Sequence, residues 1–317
     1  MTDGGIRAPD RSRLLPELQR MLEQLDAGEP ADLSMLVPAE ERAASETFVR
    51  DLWGALEPVA EIEDLHFFSE GHSIRARLYR PAGASGTVLF IHGGGWVFGS
   101  LDSHDGSARV LANRAQANVL SIEYRKGPEH PFPAAVTDVD AGLEWLLAEG
   151  LRLGLDTSRI VVCGESAGGN LAAVLARHAR DRGIGLAGQV LIYPATDFSR
   201  TTASQEAFAE GYFLTTDSMN WFIGQYMQAA DRSHPDASPL LAPDLSGLAP
   251  AYLATAEFDP LRDEGRAYAA RLIEAGNDVT YREMCGAVHG LWVMNAKTPA
   301  AEAMICDAAA WMRQALR

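Results

Sequence analysis

A serine flanked by glycines, between a strand-like run and a helix-like run, constrains this chain more than any other feature. Residues 164–168 have the sequence Gly-Glu-Ser-Ala-Gly, the β-branched run 159–163 precedes them, and the alanine-rich run 170–177 follows. In such a turn the serine lies at a tight strand-to-helix bend, and the glycines let neighbouring backbone pass close by. The sequence therefore predicts a strand, a bend that exposes the hydroxyl of Ser166, and a helix.

A second glycine-rich segment supplies backbone N–H groups. The strand-like run 88–91 leads directly into His92 and three consecutive glycines. Together with the N–H of Ala167, the N–H groups of Gly93 and Gly94 are predicted to form an oxyanion hole. A flexible glycine turn is the alternative, and a phosphate-binding loop is disfavoured because no Lys-Ser or Lys-Thr follows the glycines.

A serine hydroxyl needs a base to become a nucleophile, and the base needs a carboxylate to orient it. The apolar run 251–256 ends in an acidic loop, at the end of a strand where such sheets place catalytic groups. Asp259 is the predicted acid. Glu257 competes with it, as do Asp263 and Glu264, although the last two fall where a helix begins and are more simply explained by its dipole.

His289 is the predicted base, because it is the only one of the eight histidines that follows Asp259. It comes after the strand-like run 278–284, in a loop bounded by glycines. His178 is interpreted as a surface residue in a helix, and His130 as part of a turn. The histidines, cysteines and acidic residues show no zinc-like spacing, so neither a metal nor a cofactor is expected.

These motifs, in this order, resemble those of the hormone-sensitive-lipase-like branch of the α/β-hydrolases, the bacterial family IV carboxylesterases. Two further segments carry the resemblance, 123–135 (Glu-Tyr-Arg-Lys-Gly-Pro-Glu-His-Pro-Phe-Pro-Ala-Ala) and 238–243 (Ser-Pro-Leu-Leu-Ala-Pro). The chain departs from the family pattern at Glu123, which stands for Asp, and at 126–127, where Lys-Gly stands for Leu-Ala. It also has Glu165 where Asp or Thr is commoner. None of these departures removes a catalytic group.

The resemblance implies an α/β protein with the α/β-hydrolase fold, a mainly parallel eight-stranded sheet flanked by helices, with a helical cap. The alternation of strand-like and helix-like runs independently favours a mainly parallel sheet covered on both faces. Trp96, Tyr212 and Phe213 could line a substrate pocket or could pack into a core of their own. The expected units are N-terminal helices that contribute to the cap (1–55), a catalytic core (56–200 and 230–317) and a cap insertion (201–229).

The function implied by the resemblance is hydrolysis of carboxylic esters with short to medium acyl chains, through an acyl-enzyme on Ser166. An amidase, a lactonase or an acyltransferase would use the same three residues, so these alternatives stay open. A non-catalytic binding module is disfavoured because Ser166, Asp259 and His289 are all present. A long-chain interfacial lipase is disfavoured by the acidic composition.

The net charge of −16 argues against nucleic acid and anionic membranes as partners. No apolar run is long enough to span a membrane, and residues 1–30 lack the apolar stretch of a secretory signal, so a cytoplasmic protein is expected. The resemblance implies a possible homodimer through the last strand, although the polar alternation of 278–284 could equally form a solvated edge. Three cysteines, Cys163, Cys285 and Cys306, are expected to be buried free thiols.

Overall fold

The protein is built around one eight-stranded sheet with the strand order β1-β2-β4-β3-β5-β6-β7-β8. The computed structural model describes residues 10–27, 35–199 and 201–317. β2 pairs antiparallel with both β1 and β4, and the remaining neighbours are parallel. The predicted mainly parallel sheet is thus confirmed. The strands are β1 Glu61–Ser69, β2 His72–Arg80, β3 Thr87–Ile91, β4 Asn118–Glu123, β5 Ile160–Glu165, β6 Gly188–Ile192, β7 Ala251–Phe258 and β8 Val279–Val288.

Helices cover both faces of this sheet. α4, α5 and α8 pack into the core on one face, and α1, α3 and α9 pack into the core on the other. The helices are α1 Pro16–Asp26, α2 Pro38–Trp53, α3 Asp105–Ala115, α4 Ala134–Glu149, α5 Ala167–Asp181, α6 Ala203–Ala207, α7 Thr216–Met227, α8 Arg262–Glu274 and α9 Pro299–Ala315. None of the helices in the described ranges combines the length and apolar character needed to cross a membrane.

The central strands are buried on both faces, which explains why their sequences are continuous apolar runs rather than alternating ones. Every residue of β3 is buried. Leu89 and Ile91 belong to one core, while Val88 and Phe90 belong to the other. Because successive side chains of a strand point to opposite faces, one short run supplies both cores.

The parallel strands bring the four predicted site segments to one edge of the sheet. β3 leads into His92, β5 into Ser166, β7 into Asp259 and β8 into His289. Since these strands run in the same direction, their carboxyl ends lie side by side. The sheet therefore gathers residues that are more than a hundred positions apart in the sequence.

The described N-terminal segment lies against residues 201–229, the predicted cap insertion. The guanidinium of Arg11 donates to the carbonyl of Gly211, and the hydroxyl of Tyr212 donates to the carbonyl of Asp10, 3.0 Å away. Helix α2 is attached to the loop after β3, because the guanidinium of Arg42 donates to the carbonyl of Val97 at 3.0 Å. Parts of the predicted N-terminal unit, residues 1–9 and 28–34, lie outside the described residues, as does residue 200 of the predicted core.

Two sequence-based expectations are wrong in detail. β8 runs to Val288, beyond the predicted end at residue 284, because Val288 still pairs with Phe258 of β7 after an irregularity in the register. The expectation of three buried thiols holds for Cys163, but Cys306 is half-buried and Cys285 is exposed. Cys285 lies on β8, the last strand in the order of the sheet, which pairs on one side only within the described residues.

His178 near the end of α5 is half-buried and ion-paired, so its interpretation as a simple surface residue is incomplete. Its Nδ1 lies 2.7 Å from Oδ2 of Asp140 on α4, and its Nε2 lies 2.9 Å from Oδ1 of Asp236. Hydrogen bonds to these two carboxylates raise the pKa of His178 to about 9 against the opposing effect of burial. The imidazolium therefore joins α5 to α4 and to the segment that follows α7.

We predict that His178→Ala lowers the free energy of unfolding by about 1–2 kcal/mol at pH 6, after allowing for solvent screening of a partly exposed pair. The pKa is raised on folding from 6.5 to about 9, so the stabilisation is complete below pH 6.5 and is lost as the pH rises towards 9. Urea unfolding at several pH values measures the difference. His66→Ala, at an exposed position of β1, is the control, and a difference that persists above pH 10 would contradict the prediction.

Candidate active site

Ser166 lies at the bend between β5 and α5 in a conformation that L-residues rarely adopt. Its φ is 55° and its ψ is −119°, which is strained for a residue with a Cβ. The bend is held because the N–H of Ser166 donates to the carbonyl of Ile192 at 2.8 Å. A Cβ on Gly168 would overlap with the carbonyl oxygen of Ile91, so only glycine lets the helix start this close to β3.

Three of the predicted residues form one hydrogen-bonded line. Oγ of Ser166 lies 2.8 Å from Nε2 of His289, and Nδ1 of His289 lies 2.7 Å from Oδ2 of Asp259. Because the carboxylate can only accept, Nδ1 carries a proton and Nε2 is left to accept from the serine hydroxyl. The other oxygen of Asp259 accepts from the N–H of Leu261 at 2.8 Å, which fixes the carboxylate on the buried side of the ring.

The imidazole of His289 is buried but surrounded by negative charge. Burial alone would lower its pKa, but the charges of Asp259 and Glu165, together with the hydrogen bond to Asp259, raise the pKa above its ordinary value. The ring of Tyr193 packs against it, with the ring centres 4.6 Å apart. The ring is therefore held in one orientation and accepts a proton more readily than a free imidazole does.

The carboxylates that compete with Asp259 have other partners. Glu257 forms an ion pair with Arg13 and accepts from the N–H of Gly286 at 2.8 Å. Asp263 accepts from the N–H of Ser204 at 2.9 Å. Among the four acidic candidates, only Asp259 forms a hydrogen bond with His289 in the described structure.

Glu264 differs from the expectation that it merely complements the dipole of α8. It lies in the first turn of that helix, but it is buried and accepts from the N–H of Thr196 at 2.6 Å and from Nε2 of Gln205 at 3.2 Å. Burial raises its pKa to about 8 against the effect of the backbone donors. The side chain thus joins α8 to the loop after β6 and to α6.

Of the two glycines predicted to supply oxyanion donors, Gly94 lines the same cavity as Ser166, whereas Gly93 does not. The N–H groups of Gly94 and Ala167 donate no hydrogen bond to any residue that the structure describes. The N–H of Gly93 faces the carboxylate of Glu165 and helps to lower the pKa of that group. A Cβ on Gly93 would overlap with this carboxylate, so glycine is required for the loop to lie against Glu165.

Ser166 and His289 open onto a cavity of about 260 Å³ with a largely aromatic and aliphatic wall. Trp96 and Phe213 line the cavity, whereas Tyr212 does not: its ring stacks on Phe258 with the centres 5.4 Å apart. Lysine and arginine are absent from the described lining. Residues of α2 and α7 that the sequence did not single out complete the wall, namely Ser45, Phe48, Val49, Leu52, Ser218, Met219, Phe222 and Ile223.

Comparisons with known proteins agree with the fold that carries this site. Residues 88–293 match the family model described as alpha/beta hydrolase fold. The carboxylic ester hydrolase LipN of Mycobacterium tuberculosis is 45% identical over 240 residues, which are 73% of this chain and 64% of that relative, just under two thirds of its length. The ethyl acetate hydrolase of Pseudomonas putida is 38% identical over 289 residues, 87% of this chain and 91% of that protein.

A solved structure shows the same architecture. The hyperthermophilic esterase from the archaeon Pyrobaculum calidifontis superposes with a TM-score of 0.90 at 38% identity, covering 95% of this chain and 98% of that one. At this level of identity the likeness extends beyond the arrangement of helices and strands to the sequence that forms them.

We predict that Gly168→Ala lowers the free energy of unfolding by about 1–3 kcal/mol, because the new methyl group meets backbone that cannot turn aside. Gly224→Ala on α7 is the matched control, since a Cβ there meets nothing within 4 Å, and it should leave stability unchanged or raise it by about 0.5–1 kcal/mol. Urea unfolding measures both variants. Equal stability of the two would contradict the role assigned to the close approach at Gly168.

Proposed function

The chain belongs to the α/β-hydrolase family, in its hormone-sensitive-lipase-like branch, and we propose that it is a carboxylic ester hydrolase with Ser166 as its nucleophile. The observation that carries the proposal is the hydrogen-bonded line from the buried Asp259 through His289 to Ser166. The serine end of this line lies at the wall of an apolar cavity. The relatives named above support ester hydrolysis, since two are ester hydrolases and the third is an esterase.

In the first half of the proposed reaction, Oγ of Ser166 attacks the ester carbonyl carbon while Nε2 of His289 takes the hydroxyl proton. The carbonyl oxygen becomes an oxyanion and accepts hydrogen bonds from the N–H groups of Gly94 and Ala167, while the N–H of Gly93, the third donor expected from the sequence, stays with the carboxylate of Glu165. Asp259 holds the imidazole in the required tautomer and stabilises the imidazolium. When the tetrahedral intermediate collapses, His289 protonates the departing alcohol.

In the second half, water takes the place of the serine hydroxyl. His289 accepts a proton from the water as its oxygen attacks the acyl-enzyme, and the same N–H groups receive the second oxyanion. Collapse releases the carboxylic acid, and His289 returns the proton to Oγ of Ser166. Every proton moves between these side chains, the substrate and water, so the proposed mechanism requires no cofactor.

The cavity supports short to medium acyl chains as the substrate class. Its volume of about 260 Å³ and its aromatic wall suit a compact apolar group. Amides, lactones and transfer to an alcohol acceptor remain alternatives on the same residues, because all of them pass through the acyl-enzyme. Since Tyr212 lies away from the wall, Trp96 and Phe213 are the proposed substrate contacts among the three aromatic candidates.

We also propose that the described parts of residues 1–55, together with residues 201–229, form a cap over this cavity. The contribution of α2 and α7 to the cavity wall and the contacts of Arg11 and Tyr212 between the two segments support it. Dimerisation through β8 stays a prediction, supported by the position of that strand at the edge of the sheet. A cytoplasmic location likewise stays a prediction from the sequence.

We predict that Ser166→Ala lowers kcat/KM by several orders of magnitude on p-nitrophenyl esters, because no other hydroxyl is placed on His289 in the described structure. Initial rates on the series from acetyl to palmitoyl measure both the loss and the acyl-chain optimum of the wild type. Ser73→Ala, at an exposed position of β2, is the control. Near-normal turnover by Ser166→Ala would overturn the assignment of the nucleophile.

We predict that Phe213→Ala raises kcat/KM for the longer acyl esters relative to acetyl by about 10-fold or more, because it removes a ring from the cavity wall. Phe208→Ala is the matched control. Phe208 belongs to the same segment, but its ring packs on Tyr212 and Phe258 rather than on the cavity. A chain-length profile that is the same for wild type and Phe213→Ala would place Phe213 in a structural role.

A further inference from the structure

Glu165, the residue before the proposed nucleophile, has a buried side chain directly behind the site. Its Oε1 lies 3.0 Å from Nε2 of His104, which is buried as well. Both side chains contribute to the wall of the cavity that Ser166 opens onto. A buried carboxylate destabilises a protein unless hydrogen bonds or opposite charges compensate it, so its place next to the serine requires an explanation.

The surroundings of Glu165 keep it ionised. Burial acts to raise its pKa, but the hydrogen bond and charge of His104, the charge of His289 and the N–H of Gly93 together lower the pKa below its ordinary value. Three further titratable groups lie under its charge, the phenols of Tyr124 and Tyr193 and the thiol of Cys163, and burial together with the negative charge of Glu165 raises the pKa of each. Cys163 belongs to β5 itself, and the other groups come from five further places in the chain: Gly93 after β3, His104 before α3, Tyr124 after β4, Tyr193 after β6 and His289 after β8.

His104 is held in turn by a chain of hydrogen bonds that reaches α2. Its Nδ1 lies 2.8 Å from Oγ of Ser103, and the N–H of Ser103 donates to Oγ of Ser100 at 3.0 Å. The hydroxyl of Ser100 donates to Oε2 of Glu46 on α2 at 2.6 Å. With Nδ1 fixed by the serine, Nε2 is directed at the carboxylate of Glu165, and the imidazole cannot turn away without breaking both contacts.

We propose that Glu165, held by His104, is a positioning residue for the proposed ester hydrolysis. Its carboxylate fixes the backbone at Gly93, next to the proposed oxyanion donor Gly94, and its charge stabilises the imidazolium that forms on His289, in addition to the charge of Asp259. The inference rests on the proposed function, because both effects act on groups of the acyl-transfer reaction. Glu165 itself exchanges no proton with the substrate.

The sign of the expected pH effect follows from the charge. A negative charge near His289 favours its protonated form, and only the neutral imidazole can accept the serine proton. Removing that charge therefore moves the acid limb of the pH–rate profile to lower pH. It also lowers the rate on the plateau, because the transition state contains an imidazolium that has lost part of its stabilisation.

The test is the pH profile of kcat/KM for Glu165→Gln and Glu165→Asp beside the wild type. We expect Glu165→Gln to shift the acid limb down by about 0.5–1 pH unit and to lower the plateau about 10-fold, mainly in kcat rather than in KM. Glu165→Asp keeps the charge and should keep the acid limb of the wild type. A limb at the wild-type position in Glu165→Gln would overturn the proposal, because a merely structural role lowers activity without moving the limb.

Glu302→Gln is the charge-matched control. It removes one carboxylate from α9, where Glu302 pairs with Arg114 and does not line the cavity, and it should leave the limb in place. If Glu165→Gln does not fold, the pH profile of His104→Ala is measured instead. Without His104 the buried carboxylate loses its main partner and takes up a proton, so a lower limb supports the proposal and an unmoved limb overturns it.

The same profiles measured with an aryl phosphonate separate this inference from the proposed function. The phosphonate reacts once with Ser166, and the pH dependence of that step reports the protonation of His289 without ester turnover. If the wild type reacts with the phosphonate but hydrolyses no ester, the proposed function is wrong. The acid limb of the phosphonate reaction can then still be compared between Glu165→Gln and the wild type. A wild type active on esters with an unmoved limb in Glu165→Gln would end only the inference.

Discussion

The strained bend at Ser166 is the constraint on which the rest of the site depends. A positive φ at a serine is unfavourable on its own, so neighbouring segments must hold it. The N–H of Ser166 is held by β6, and the approach of α5 to the carbonyl of Ile91 requires Gly168. Further along the helix, the amide of Asn170 donates to the carbonyls of Ala195 and Ala237. The bend is therefore fixed by segments on either side of β5 and by the chain that follows α7.

Three buried carboxylates belong to the site, Asp259, Glu165 and Glu264, and each has a different set of partners. Asp259 is held by a backbone N–H and by His289 itself, whereas Glu165 is held by a second histidine, His104. In the described structure Glu264 accepts from neutral donors, and burial raises its pKa to about 8. The histidine partner of Glu165 instead helps to lower the pKa of that buried acid, and the charges of Asp259 and Glu165 both act on His289.

The two glycine-rich motifs predicted the loops of the site directly, whereas the acid and the base had to be inferred from their positions along the chain. The bend at Ser166 and the loop at Gly93 can be recognised from short runs of sequence, because their geometry depends on glycines that lie within a few residues of one another. Asp259 and His289 followed from chain order and from the ends of strands. The sheet is confirmed, while the catalytic roles of these residues stay predictions until they are measured.

Other features depend on tertiary packing that the sequence does not display. Tyr212 and Phe213 are adjacent aromatics, yet one packs on Phe258 and the other lines the cavity. The sequence of two adjacent aromatic residues does not indicate which of the two rings faces a pocket. The burial of Glu264 was missed for the same reason, since an acid in the first turn of a helix is ordinarily solvated. Cys285 was expected to be buried although it directly follows the run 278–284, whose polar alternation also fitted a solvated edge; the strand continues through it.

Glu165 stands where the family pattern more commonly has Asp or Thr, and its longer side chain has hydrogen-bond partners in other parts of the fold. A glutamate reaches farther than an aspartate, and here it extends to His104 at the start of α3, whose serine neighbours connect to Glu46 of α2. The same carboxylate requires glycine at position 93, where any Cβ would overlap with it. The two glycine-rich motifs are therefore coupled through one side chain. Because α2 also lines the cavity, packing of this helix and the charge behind His289 depend on the same row of hydrogen bonds.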